Sequence, residues 1–230
     1  MENEMEIRDA YEMLFKKIGK DEFFEHGIKD ILFVESDKIE KHWIEGIKHK
    51  LDKGGEMLHI RGYGRDGSNT ELFVKLYKHL FPNIIIERDS TNNAQPTKLL
   101  ADLTPYVKVK TQNEPNKTLI QNYQISHLWG KTKNPLLFTA AWNIAYVPKY
   151  LDPFTGHESQ GEHSSTFKRV FEEIVRGKFQ HFIDDYNSII ESRVDPVLEE
   201  ALDKTRKELR YNKKEFSKFS DDARRELSKI

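Results

Sequence analysis

Between Asn122 and His163 the chain sets a histidine, an asparagine and a run of metal-capable side chains around two short apolar stretches. Residues 123–128 alternate well enough for a strand that closes on His127, and residues 143–147 form a second strand that opens on Asn143 and stops at Pro148. Asp152, His157, Glu158, Glu162 and His163 follow, in a segment punctuated by Pro153, Gly156 and Gly161. An imidazole with an unperturbed pKa of about 6.5 suits a proton acceptor at neutral pH. Amide and carboxylate oxygens suit Mg²⁺ or Mn²⁺, hard cations that keep part of their hydration shell. Such groups together could hydrolyse a phosphodiester, which requires an in-line nucleophile, a base, and a cation to neutralise charge in the transition state. The competing reading makes His127 a hydrogen-bonded structural residue at a strand end.

Ser126-His127, the loop after it, the stretch from Trp142 to Pro148, and then Asp152 and His157 resemble the core of the ββα-metal nucleases (HNH, or His-Me finger). The resemblance covers roughly 35 of the 230 residues. It implies that His127 is the general base that deprotonates water. It implies that Asn143 either binds the metal or ties down the loop carrying the base, and that His157 or Asp152 completes the metal site. Two departures accompany it. Ser126 stands where many members have an acidic or histidine ligand, and Pro153 with Gly156 predicts a turn where the family has a helix. With no charged ligand beside the base, a weak, water-rich Mg²⁺ or Mn²⁺ site is expected, completed by substrate phosphate.

Composition narrows what could be bound. Lys and Arg number 37 against 38 Asp and Glu, so the chain is no polycation, and nucleic acid must be held by a local patch. One such excess gathers near the site: Lys98, Lys108, Lys110, Lys117, Lys131 and Lys133, opposed by Asp102 and Glu114. Lys108, Lys110, Lys131 and Lys133 are the expected phosphate contacts, and a solvated lysine-rich loop is the plain alternative. Cysteine is absent, which excludes disulfides and Cys-ligated zinc. The acidic start lacks the apolar core of a secretory signal, and no run of about 18 apolar residues occurs. A soluble cytoplasmic protein with no membrane partner is expected.

The surrounding elements must position this site. Helical spacing marks residues 7–18 and 39–51, a short strand follows at 57–61, and a further helix lies at 71–81. Between the last two, Gly62, Gly64 and Gly67 match neither a P-loop nor a dinucleotide fingerprint. That loop is a plain turn or a DNA contact through Arg61 and Arg65. A strand at 84–87 leads into the polar loop 89–95, whose Asn and Gln side chains could read adenine edges, and Pro96 opens a helix reaching 103. Helices are expected at 164–176 and 179–192, then a charge-dense helical arm or helix pair that could dock on a second subunit as a homodimer. The sequence thus divides into an α/β recognition and scaffold region (1–118), a ββα-metal-like catalytic core (119–180) and a C-terminal helical arm (181–230). Its class is α+β, mostly helical. The expected function is a metal-dependent endonuclease acting on DNA rather than RNA, of restriction or phage-defence type. The alternatives are a noncatalytic nucleic-acid-binding or protein-interaction module, or an RNA-cleaving toxin.

Overall fold

The strand expected at 143–147 forms at Ile144–Pro148 and is buried along its whole length. Its partner strand Tyr123–His127 pairs with it antiparallel, from Tyr123 opposite Pro148 to His127 opposite Ile144. Leu32 covers the other edge, exchanging two backbone hydrogen bonds of 3.0 and 3.1 Å with Tyr146. No edge of the inner strand is left to water, which is why apolar residues occupy consecutive positions there instead of alternate ones.

The computed structural model describes residues 8–62, 70–109, 116–155 and 159–230. In chain order these hold α1 (Ala10–Phe15), α2 (Lys20–Lys29), α3 (Ser36–Lys41), a π-helical run (His42–Lys48) and α4 (His49–Lys53). Then come β1 (Met57–Ile60), α5 (Thr70–Leu80), β2 (Ile85–Arg88), α6 (Ala94–Leu103), β3 (Tyr106–Val107) and β4 (Thr118–Leu119). The hairpin strands are β5 (Tyr123–His127) and β6 (Ile144–Pro148), followed by α7 (Asp152–Thr155) and α8 (Glu162–Ile189). A π-helical turn (Ile190–Val194) leads to α9 (Leu198–Glu208) and α10 (Lys213–Glu226). The class is α+β and mostly helical, with three separate two-stranded sheets among the described residues. β1 and β2 pair in parallel, as do β3 and β4, and α5 is the crossover between the first two.

Where the sequence suggests two helices at 164–176 and 179–192, α8 runs through both. The break is compressed into one residue, Phe179, at φ −121° and ψ 17°. That local turn re-aims the helix so that Phe167, Phe171 and Val175 before it and Phe182, Ile183 and Tyr186 after it are all buried. A second difference concerns α7. Pro153 and Gly156 point to a turn, yet Asp152–Thr155 forms one turn of helix with Pro153 in its first turn, where a missing N–H does no harm. Phe154 anchors it, 1% exposed among Phe24, Phe167 and Tyr11. Burying such a ring stabilises by about 1.5–3 kcal/mol, enough to hold a four-residue helix that could not stand alone.

The C-terminal segment is a helix pair packed on the body. An Asn212–Glu215 capping box starts α10, and Phe216, Phe219, Ala223 and Leu227 are buried from it and its end. Phe219 meets Phe73 of α5 at 5.0 Å. Trp43 and Trp142 stack edge-on at 5.6 Å, and the indole N–H of Trp43 donates to Asp185 at 2.7 Å, tying the π-helical run to α8 across the hairpin. The three regions of the sequence contribute to one hydrophobic core.

Candidate active site

His127 ends β5 and is half-buried. Its Nε2 lies 3.0 Å from the carbonyl oxygen of Phe138, and its ring stacks on the Phe138 ring at 5.4 Å. A carbonyl only accepts, so Nε2 must carry the proton and Nδ1 is left as the basic nitrogen. Burial pulls the imidazole down to about 4, partly offset by the Phe138 carbonyl, while the neighbouring Arg61 lowers it further and Asp89 raises it. The ring is therefore neutral at pH 7.

The loop joining β5 to β6 is fixed by Asn143, which has no exposed surface. Its Oδ1 accepts from the Trp129 N–H at 2.9 Å, and its Nδ2 donates to the carbonyl of Leu137 at 3.0 Å. The Asn143 backbone carbonyl accepts from Leu128 at 2.7 Å. Of the two roles expected for Asn143, these bonds make the loop-tying one. Its oxygen, expected as a metal ligand, is buried and already engaged by a backbone donor.

The groove above this hairpin has a volume of about 1160 Å³. His127, Asp152, Arg61, Lys108, Lys131 and Lys133 all line it, so six residues expected at the site on sequence grounds share one surface. Lys110, Arg65 and His157 lie outside the described residues.

Two of the lysines face other tasks. Lys131 donates to the carbonyls of Arg225 and Ser228 at 2.8 and 2.7 Å and to the Ser228 hydroxyl at 2.6 Å, so all three of its N–H bonds close the end of α10. Burial lowers it to about 8. Lys133 is 7% exposed with its ammonium 5.3 Å above the Phe73 ring, and its backbone N–H donates to Glu226 at 3.0 Å. Both lysines, expected to hold phosphate, join the hairpin loop to α10. Asn134 completes the joint, donating to the Tyr186 hydroxyl and to the Glu226 carbonyl, both at 2.9 Å. Lys108 stays exposed on the groove.

The polar loop after β2 also differs in use. Asp89, 1% exposed, accepts from the backbone N–H groups of Thr91, Ala94 and Gln95 at 2.8, 3.0 and 2.7 Å, and so closes the start of α6. Asn93 and Thr97 of that region reach the groove. Gly62, after β1, presses on Asp89: a Cβ there would meet the Asp89 carbonyl oxygen at 2.0 Å. Only glycine lets the chain pass so close.

Sequence reasoning missed the wall contributed by α10 and the residues after it, where Lys218, Arg225 and Lys229 line the groove. Their charge reads as a solvated helix face, and a helix pattern alone does not say which neighbour its polar side meets. Among the described residues no three His, Cys, Asp or Glu side chains gather at one point. His163, expected among the metal-capable residues, packs its ring on Phe15 at 5.1 Å. Asp152 remains as a carboxylate on the groove at the start of α7.

A family model described as "Uncharacterised protein PM1201" matches residues 34–230. The chain belongs to the PM1201 family. "Uncharacterized protein PM1201" of Pasteurella multocida (strain Pm70) is 34% identical over 229 residues, covering 98% of this chain and 99% of that relative. No solved structure matches. The PM1201 match takes in the hairpin, α7, α10 and every described residue named here as lining the groove.

Proposed function

We propose that the chain is a metal-dependent endonuclease that hydrolyses phosphodiester bonds in DNA. The observation that carries this reading is the tautomer of His127: one ring nitrogen is held by the Phe138 carbonyl, which leaves the other as an acceptor beside a cation-lined groove. His127 takes a proton at Nδ1 from the attacking water. Arg61 and Lys108 bind and orient the phosphate, and Asn143 keeps the loop that holds Phe138 in place.

Asp152 fits a hard cation that is bound through one carboxylate, waters and substrate phosphate, the usual arrangement for Mg²⁺. When bound, Mg²⁺ or Mn²⁺ supplies neutralisation of charge on the phosphate and the departing oxygen. A cytoplasmic location belongs to the same proposal. No helix among the described residues is long and apolar enough to cross a membrane.

Plasmid nicking with Mg²⁺, Mn²⁺ and EDTA lanes tests the reading. Wild type should nick in the metal lanes alone, and His127→Ala should lose at least about a hundredfold in rate, the usual minimum for a lost general base. Equal rates for the two proteins would remove His127 from the mechanism.

A further inference from the structure

We propose that α10 is the substrate-binding wall of this groove and holds the sugar-phosphate backbone of duplex DNA through Lys218, extended along the same face by Arg225 and Lys229. This rests on the nuclease reading and names where its substrate is held. Lys131 and Lys133, two of the six lysines that make the local charge excess in the sequence, are turned toward α10 and Phe73. Beside Arg61 and Lys108, the cations that remain on the groove come from α10 and the residues after it. Lys218 is exposed, lines the groove, and has no hydrogen-bond or ion-pair partner among the described residues; the same holds for Lys108 at the end of β3.

Positions 218, 222, 225 and 229 recur at spacings of four, three and four, which places them along one face of the helix and its end. Arg225 pairs with Asp222 at 2.6 Å and Lys229 with Glu191 at 3.0 Å. The Arg225 and Lys229 side chains are exposed, and the Lys229–Glu191 pair, exposed on both sides, is weak enough for a phosphate to displace the carboxylate. The wall itself is rigid, because the opposite face of α10 buries Phe216, Phe219 and Ala223.

A duplex is favoured over a single strand by what the groove lacks. Proteins that hold single strands offer aromatic rings for bases to stack on. Trp129 is the groove's one Trp, Tyr or Phe among the described residues, and the Arg176 guanidinium already sits 5.1 Å above its ring. Amide side chains of Asn93 and Gln124 line the groove instead, the kind that pair with base edges.

Fluorescence anisotropy of a labelled DNA duplex, titrated with intact protein in EDTA across a KCl series, tests this. Lys218→Ala should weaken binding about 3- to 10-fold and reduce the slope of log affinity against log salt by roughly one, as expected for one lost phosphate contact. Lys218→Arg should restore both. Lys204→Ala, on α9 and away from the groove, should leave both unchanged. An unchanged affinity and slope in Lys218→Ala overturns the inference, as does tighter binding of single-stranded DNA or RNA than of duplex. If wild type nicks plasmid while Lys218→Ala keeps its slope, the α10 wall fails and the nuclease reading stands. If wild type binds duplex through Lys218 yet never nicks with Mg²⁺ or Mn²⁺, the catalytic reading fails and the binding wall stands.

Discussion

Removing or protonating one imidazole should switch the proposed site off. Because the His127 ring is held near 4, its neutral form persists as pH falls and disappears only on approaching that value. The acid limb of kcat/KM, which reports the free enzyme, should therefore lie between about pH 4 and 5, well below the 6.5 of an unperturbed histidine. A limb near 6.5 would show that His127 is not the titrating base. The same depression acts on folding. His42 is also lowered to about 4 by burial, so the folded state disfavours protonation of both rings. Their contribution is complete above about pH 6.5 and is lost as pH falls toward 4. Asn143 separates two roles by experiment. Asn143→Ala leaves the Trp129 N–H and the Leu137 carbonyl without their partner in a buried site and should destabilise by about 2–4 kcal/mol, read as a lower urea midpoint. A variant of unchanged stability that only needs more Mn²⁺ would return Asn143 to the role of a ligand. The sequence makes His127 and Asn143 conspicuous by type and order. It does not reveal which backbone groups they meet, the Phe138 carbonyl for His127 and the Trp129 N–H and Leu137 carbonyl for Asn143.

Short elements here depend on caps and anchors more than on their own residues. α6 begins under Asp89, five residues before its first helical position, where one carboxylate takes three backbone N–H groups. Asp89→Ala should destabilise by about 1–2 kcal/mol or more, at the upper end for a lost cap because the carboxylate is buried, and should shift Asn93 and Thr97 on the groove. Urea denaturation with hydrogen exchange over residues 94–97 reads both effects. Unchanged protection there would contradict the capping account. Pro96 advertises this helix in the sequence, whereas Asp89 looks like one more polar loop residue, since a cap set so far upstream follows no local motif. α7 is hidden for a related reason. Its helical turn is stabilised by Phe154 inserting among rings from α2 and α8, a long-range effect that overrides the local signal of Pro153 and Gly156. Strands β1, β2, β5 and β6 are readable within a residue or so, because β-branched and aromatic runs between turn residues leave few alternatives.

At the scale of the molecule, helix α10 belongs to the core, although its sequence reads as a trailing arm. Phe219→Ala should destabilise by about 3–5 kcal/mol, the usual range for a buried phenylalanine, and should lower duplex affinity with it. A loss under about 1 kcal/mol would mean that the helix is docked only loosely. The charge-dense C-terminal sequence hides this, since the four side chains buried from α10 and its end lie among many charged ones, too irregular a pattern to specify a partner surface. The clasp between Lys131 and the end of α10 joins residues 97 positions apart, from Lys131 to Ser228. Contacts so distant in sequence close late in folding, because a long loop must be ordered first. A chain still leaving the ribosome would expose its histidine before the α10 segment that steadies the neighbouring loop has been synthesised. Synthesis of α10 then acts as a natural delay: the loop beside His127 gains its steadying contact only after the chain up to Ser228 has been made.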